Sequence, residues 1–250
     1  MKTTTLACLI TLAPTLLFAG ETISLFNGKD LAGWTIDAPA RDGITPEQEV
    51  EIKDGIMTFD TRNVAWWQAN PPCFMVRDGL LVAVGMPLGH LITEEEYSNY
   101  KLVLEYRFSK EPGNCGVLVH VSTPRYRRDL FPKSIEVQML HENAGDFWCI
   151  GENIEVPDME ERRPRRDENQ AFGGEHDDAR QIIKLTDAEK PAGEWNVMEI
   201  VSKGDEIVVH LNGVLVNHGF NSTATSGGIA LQSEGVEVEF RKVELTPLAE

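Results

Sequence analysis

Cysteine is sparse in this chain, and its pattern excludes two ways of holding a fold together. Four cysteines occur among 250 residues; Cys8 lies in a leading segment, which leaves Cys73, Cys115 and Cys149. An odd, scattered set is no disulfide framework, although an oxidising compartment permits one bridge among the three. Their spacings match no zinc pattern. Long apolar runs are missing too. The uncharged stretch from Leu6 to Phe18 follows Lys2 and ends at Ala19-Gly20. That is the layout of a secretory signal peptide over residues 1–19, too short to span a bilayer. The mature chain is expected to be exported and to have no membrane span.

Positive charge is also in short supply. Lys and Arg number 23 against 40 Asp and Glu, for a formal charge of −17 that becomes −18 once Lys2 is removed. Such a surface repels phosphate backbones and anionic lipids, so nucleic acid is excluded as a partner. The one basic cluster, Arg162-Arg163-Pro164-Arg165-Arg166, is bracketed by Glu160-Glu161 and Asp167-Glu168. It is expected to be a solvated mixed-charge loop.

Helical periodicity is scarce as well. What recurs is short runs of β-branched and aromatic residues between Gly, Asn, Asp and Pro, the pattern of an antiparallel sandwich or barrel. Expected strands are Leu80 to Val84, Tyr100 to Phe108, Val117 to Val121, Ile135 to Leu140, Trp195 to Ser202, Glu206 to Leu211, Val214 to His218, Gly228 to Ser233 and Val236 to Thr246. An apolar content of 42% is enough for one full core, so residues 20–250 are expected to form a single all-β domain. Asn212-Gly213, between two β-branched runs, predicts a tight hairpin. Thr93, with Glu96 three residues on, predicts a capped helical turn. Residues 155–181 follow neither period and are expected to be a long surface loop.

One strand carries unexpected polarity. In Ser134-Ile135-Glu136-Val137-Gln138-Met139-Leu140-His141 the alternation sends Ile135, Val137 and Met139 to one face and Glu136 with Gln138 to the other. His120 and His141 lie in or beside the same strands, so Glu136, Gln138 and His141 are the catalytic candidates, with His141 needing a bulge to join them. A lone carboxylate with imidazoles suits a general base for a carbon-bound proton beside a ketone. It also suits a divalent metal held by Glu136, His120 and His141. No other cofactor is implied. The spacing matches the E-x-D-x-x-E strand of laminarinase- and lichenase-type glucanases, but with Gln138 and His141 in place of the second and third acids. Ordinary retaining hydrolysis needs two carboxyl groups, and this strand offers one.

Substrate-binding candidates come from the same kind of reading. Glu105 and Arg107 alternate onto one face of their strand, where a carboxylate and a guanidinium can read sugar hydroxyls or simply pair. Trp148 follows the Glu136 strand and can form a rim on which a sugar stacks, whereas most tryptophans of a sandwich are core. His90, after Pro87-Leu88-Gly89, is a second rim candidate, as is His120 within its strand.

Seven tags in order carry a resemblance. They are Leu25-Phe26-Asn27-Gly28-Lys29-Asp30-Leu31-Ala32-Gly33-Trp34, Phe74-Met75-Val76-Arg77-Asp78-Gly79-Leu80-Leu81, Asn114-Cys115-Gly116-Val117, Ile135-Glu136-Val137-Gln138, Gly193-Glu194-Trp195-Asn196, Leu211-Asn212-Gly213 and Phe240-Arg241-Lys242-Val243. Together the chain resembles the 3-keto-disaccharide hydrolase domain family. The resemblance implies a concanavalin A-like jelly-roll β-sandwich of two antiparallel sheets, carbohydrate as the partner, and a periplasmic or secreted bacterial location. It further implies cleavage of glycosides already oxidised at C3, by removal of the C2 proton, elimination of the C1 substituent and hydration. The family often has arginine at the position of His120, and aspartate or another polar residue at that of His141. Oligomeric state is not legible.

Overall fold

Alternation of side chains decides most of the architecture. The computed structural model describes residues 20–38, 73–163 and 179–249, and the backbone of 50–53 and 56–59. The expected leader and residues 164–166 lie outside the described residues.

The strands are β1 (Ile23–Ser24), β2 (Trp34–Asp37), β3 (Val50–Lys53), β4 (Ile56–Phe59), β5 (Phe74–Arg77), β6 (Leu80–Ala83), β7 (Gly89–Thr93), β8 (Tyr100–Phe108), β9 (Gly116–Arg127), β10 (Phe131–Gln138), β11 (Phe147–Ile150), β12 (Ala179–Ile182), β13 (Asn196–Lys203), β14 (Glu206–Leu211), β15 (Val214–Gly219), β16 (Gly228–Ser233) and β17 (Val238–Pro247). A single helical turn, α1, spans Met159–Arg162. One sheet runs β15-β14-β13-β8-β17-β6-β5, with β1 on β17; the other runs β12-β11-β10-β9-β16-β7-β2; β3 and β4 form a separate pair. The fold is the all-β, concanavalin A-like jelly roll of two antiparallel sheets expected from the sequence.

β8 shows why the sheets pack. Tyr100, Leu102, Leu104, Tyr106 and Phe108 all point inward while the residues between them are half exposed. Each inward side chain contributes about 2 kcal/mol of apolar burial. Val117, Val119, Ile135, Val137, Met139, Ile229 and Leu231 of the second sheet complete the same core. The Asn212-Gly213 hairpin is present, with φ of 52° and 81° at the two residues, the left-handed pair a tight turn between twisted strands requires.

Three expectations are corrected. Thr93 caps no helix: it closes β7, and its hydroxyl takes the Ile229 N–H and donates to the Glu95 carbonyl. A partner from another strand has displaced the local cap. Within 155–181 the chain is not all loop, since α1 and the start of β12 fall there. Nor is Arg162 solvated. It is 8% exposed and donates to the Ile183 carbonyl and to Asn217 Oδ1 at 2.9 and 2.5 Å, while Arg163 reaches Asn153 at 3.0 Å. Local charge balance predicts hydration, but strand ends bring carbonyl and amide acceptors that satisfy the guanidinium indoors. Cys73, Cys115 and Cys149 are buried free thiols rather than a bridge.

Candidate active site

The alternation in β10 holds. Ile135, Val137 and Met139 enter the core, and Glu136 and Gln138 leave on the opposite face of the second sheet, where they are 5% and 4% exposed. They sit in a polar recess of that face. Its floor is set by cross-strand register: Glu136 is opposite Trp148 on β11 and Leu118 on β9, and Gln138 is opposite Gly116 on β9. Gly116 matters because it has no side chain. A methyl there would meet Glu136 Oε1, and Gln232 Oε1 at 2.7 Å, so the two polar side chains converge in the space the glycine leaves.

The Glu136 carboxyl is pushed up to about 8, first by burial and then by the charge of Glu234; Gln232 alongside opposes the shift. The Gln232 amide is close enough to favour the charged form, yet it is not aligned as a hydrogen bond. Glu234 is itself raised by burial, against a hydrogen bond from Asn114. Burial and the neighbouring negative charge both disfavour ionisation of Glu136, so it keeps its proton to a higher pH than an ordinary carboxyl. Gln138 turns its carbonyl back to accept the Met139 and Leu140 N–H groups, both at 2.8 Å, which ends the strand and fixes the rim.

Other candidates fall elsewhere. Trp148 does flank Glu136, half buried on the same face, with Gln181 beyond it. His90 is in a strand rather than a loop. It lies in the recess, opposite Gln232 on one side and Asp37 on the other, with the edge of its ring against Phe131. His120 must be corrected, because it points between the sheets. Leu118 and Val121 pair with Ala230 and Gly228, so two residues of β9 face one of β16, and His120 takes φ 57° at that bulge. Its ring is held by the Ala224 carbonyl at 2.8 Å and Ser202 Oγ at 3.0 Å. His141 also stays outside. β10 ends at Gln138, and His141 Nδ1 lies 3.0 Å from Glu189 on the neighbouring surface. Glu136, His120 and His141 therefore do not form one metal-binding set, and among the described residues no three His, Cys, Asp or Glu side chains converge as one.

Glu105 and Arg107 are on the wrong sheet. β8 belongs to the first sheet, and its outer face carries Glu105 on Arg241 and Lys242, and Arg107 on Glu239 at 2.7 Å with its guanidinium 4.6 Å from the Trp195 ring. The pairing is structural, two layers away from Glu136.

Replacing His120 with alanine is therefore expected to lower stability by about 3 kcal/mol, through a cavity and two orphaned partners. Turnover per folded molecule should stay unchanged. Denaturant unfolding with active-site titration checks this, and a loss of rate without loss of stability would return His120 to the site.

Sequence reasoning missed Gln232, Glu234, Asn114, Gly116 and Asp37. The first two leave a signal: Gln232-x-Glu234 closes an otherwise apolar strand with two alternating polar residues, as Glu136-x-Gln138 closes β10.

A sandwich that carries a buried carboxyl, a second acid, amides and a tryptophan on one sheet face fits the carbohydrate-active proteins of the concanavalin A-like class. The chain belongs to the family of 3-keto-alpha-glucoside-1,2-lyase-like domains, whose model matches residues 21–246. Two solved Parabacteroides distasonis proteins assigned as glycosyl hydrolases share the fold. One has TM-score 0.56 at 19% identity, over 91% of this chain and 94% of that one. The other has TM-score 0.55 at 20% identity, over 92% and 100%. LamA of Z. galactanivorans, crystallised with laminaritriose and laminaritetraose, aligns at TM-score 0.50 and 11% identity, over 93% and 100%. Comparison with curated proteins gives no match.

Proposed function

We propose that this is an exported enzyme that cleaves 3-keto-glycosides, 3-keto-disaccharides among them, with Glu136 as the base that removes the C2 proton. The carrying observation is the Glu136 carboxyl, buried in the recess and raised to about 8 beside a second acid. A base for a carbon acid works best when its pKa lies near the working pH, and burial beside another carboxyl supplies that tuning.

In the forward step Glu136 takes the C2 proton and the electron pair forms the enolate of the C3 ketone. The amides of Gln232 and Gln138 are the neutral groups in reach of the developing oxyanion. Collapse of the enolate forms the C1–C2 double bond and expels the C1 oxygen. The departing C1 oxygen takes its proton from a water molecule, and the hydroxide left behind adds to C1 while Glu136 returns its proton to C2. No glycosyl-enzyme bond is formed. Glu234 is thus a second acid beside the β10 strand whose charge keeps Glu136 basic, rather than a nucleophile.

The pH profile tests the assignment. A base must be ionised, so kcat/KM on a 3-keto-disaccharide is expected to rise with unit slope and level off near pH 8. A profile that falls through pH 8 instead would make Glu136 the acid. Sugar binding without turnover, on both the keto substrate and its unoxidised parent, would assign the recess to a lectin-like binding module.

A further inference from the structure

The hairpin that joins β9 to β10 does not lie flat in its sheet. Between the Phe131–Arg127 and Ile135–Val119 pairs the register shifts twice, and β9 spends twice as many residues as β10. Extra residues on one strand bend a hairpin out of the plane. Arg125, Arg128 and Asp129 take φ of 52°, 55° and 50°, left-handed values that residues with side chains adopt rarely. The tip turns over the outer face of the second sheet. Arg125 leaves β9 and reaches β2, three strands away, donating from Nε to Asp37 Oδ1 at 2.6 Å and from Nη2 to the Ala38 carbonyl at 2.9 Å. Tyr126 packs on Gly151, just beyond β11.

What the tip covers is the ground around Glu136. Tyr126 and Phe131 pack against a small apolar cluster that includes Leu118 and Ala230 and is separate from the main core. Leu118 is the cross-strand neighbour of Glu136, and the Phe131 ring meets His90, the neighbour of Gln232. Beneath, Glu136 is 5% exposed and Gln232 1%. A general base has to come within about 3 Å of the group it deprotonates, and a carboxyl this covered admits no sugar ring. Something over it must move. Among the described residues the tip touches both neighbours, and it is weakly held. Its latch to β2 is one ion pair whose arginine side chain is 45% exposed, and pairs open to water hold little. The stem, by contrast, is fixed by ladder pairing from Ile135 onward and by Lys133 on Glu152 at 3.0 Å. The register shifts on either side of Lys133 supply the hinge between them.

We propose that the tip of this hairpin, residues 123–132, is a hinged cover over the Glu136 recess, latched to β2 by the Arg125–Asp37 ion pair and opened to admit glycan. Closed, it keeps water from the carboxyl; open, it exposes the recess to solvent. With the cover mostly shut, entry is scaled down by the open fraction, so weakening the latch speeds it. What the cover admits rests on the proposed function, whereas the motion belongs to the hairpin and is read without substrate.

Amide hydrogen exchange on the full chain tests the motion. In Arg125→Ala, Asp37→Ala and the double variant, amides of residues 123–132 are expected to exchange about tenfold faster than in the wild type, with β8 and β13 unchanged, since only a local opening has been eased. The double variant should match the single ones, because both remove the same contact. Lys101→Ala, which removes a pair with Glu199 on the other sheet, should leave the hairpin as it was. On a 3-keto-disaccharide, kcat/KM of the latch variants should rise about threefold or more. Hairpin exchange that ignores the latch, or a rise spread evenly over both sheets, overturns the cover. Faster exchange with kcat/KM unchanged or lower overturns its part in entry. If the wild type turns over no 3-keto-disaccharide while the exchange pattern holds, the cover stands and the elimination reading falls.

Discussion

Glu136→Gln is expected to remove at least about a thousandfold of the turnover on a 3-keto-disaccharide while making the folded protein more stable in alkaline solution. Both effects come from one buried proton. In the unfolded chain Glu136 ionises near its ordinary 4.5, whereas in the fold burial and Glu234 hold the proton until about 8. Between those values the unfolded state has lost a proton that the native state retains, so wild-type stability falls as pH rises through the window and flattens above it. The slope is about 1.4 kcal/mol per pH unit, on the order of 5 kcal/mol across the window before other groups are counted. The amide that replaces the carboxyl in the variant has no such proton. Variant and wild type should therefore unfold alike near pH 4.5 and diverge most at pH 8 and above. Unfolding curves at four or five pH values, set beside turnover, decide it. A variant that retains a tenth of the wild-type rate, or a stability gap that does not change with pH, would sink the argument.

Gly116→Ala is the second large expectation. The backbone at Gly116 is not left-handed, so alanine is allowed conformationally; the obstacle is lateral. Its methyl would come 2.9 Å from Glu136 Cδ and 2.7 Å from Gln232 Oε1, so both side chains must move. Displacing a catalytic group by about 1 Å costs on the order of a hundredfold in rate, and overpacking costs about 1–3 kcal/mol in stability. Gly228→Ala, in the same sheet, is the control. Its methyl would meet Ile92 Cγ2 at 3.5 Å and Thr93 Oγ1 at 3.6 Å, an ordinary contact, and neither rate nor stability should change appreciably. Wild-type kcat/KM in Gly116→Ala would mean that Glu136 and Gln232 do not need their present placement.

These expectations depend on neighbours that are far apart in the chain. Glu136 was legible because period-two alternation is a local property: Ile135, Val137 and Met139 demand one face, and the residues between them have no choice but the other. Its partner was not legible. Glu234 reaches it only because β9 lies between β10 and β16, an order that no local pattern encodes.

The two misplaced histidines show where periodicity stops. His120 should have shared the face of Leu118, but one extra residue at the β9 bulge turns it inward, to the Ala224 carbonyl and Ser202. His141 would have needed such a bulge in β10 and instead lies past the point where Gln138 folds back and ends the strand. Glu105 and Arg107 were read correctly as sharing a face, but the face belongs to the other sheet.

The sequence by itself determined the all-β class, most of the strands, the Asn212-Gly213 hairpin, and the polar face of β10, because each follows from residues within a few positions of one another. Only the tertiary structure decided that Glu136 has Glu234 and Gln232 for neighbours, that the recess runs on to His90 and Asp37, and that Arg162 is indoors. Those outcomes depend on strand order, bulges and sheet packing, which join residues that are distant in the chain and leave little trace in its local pattern.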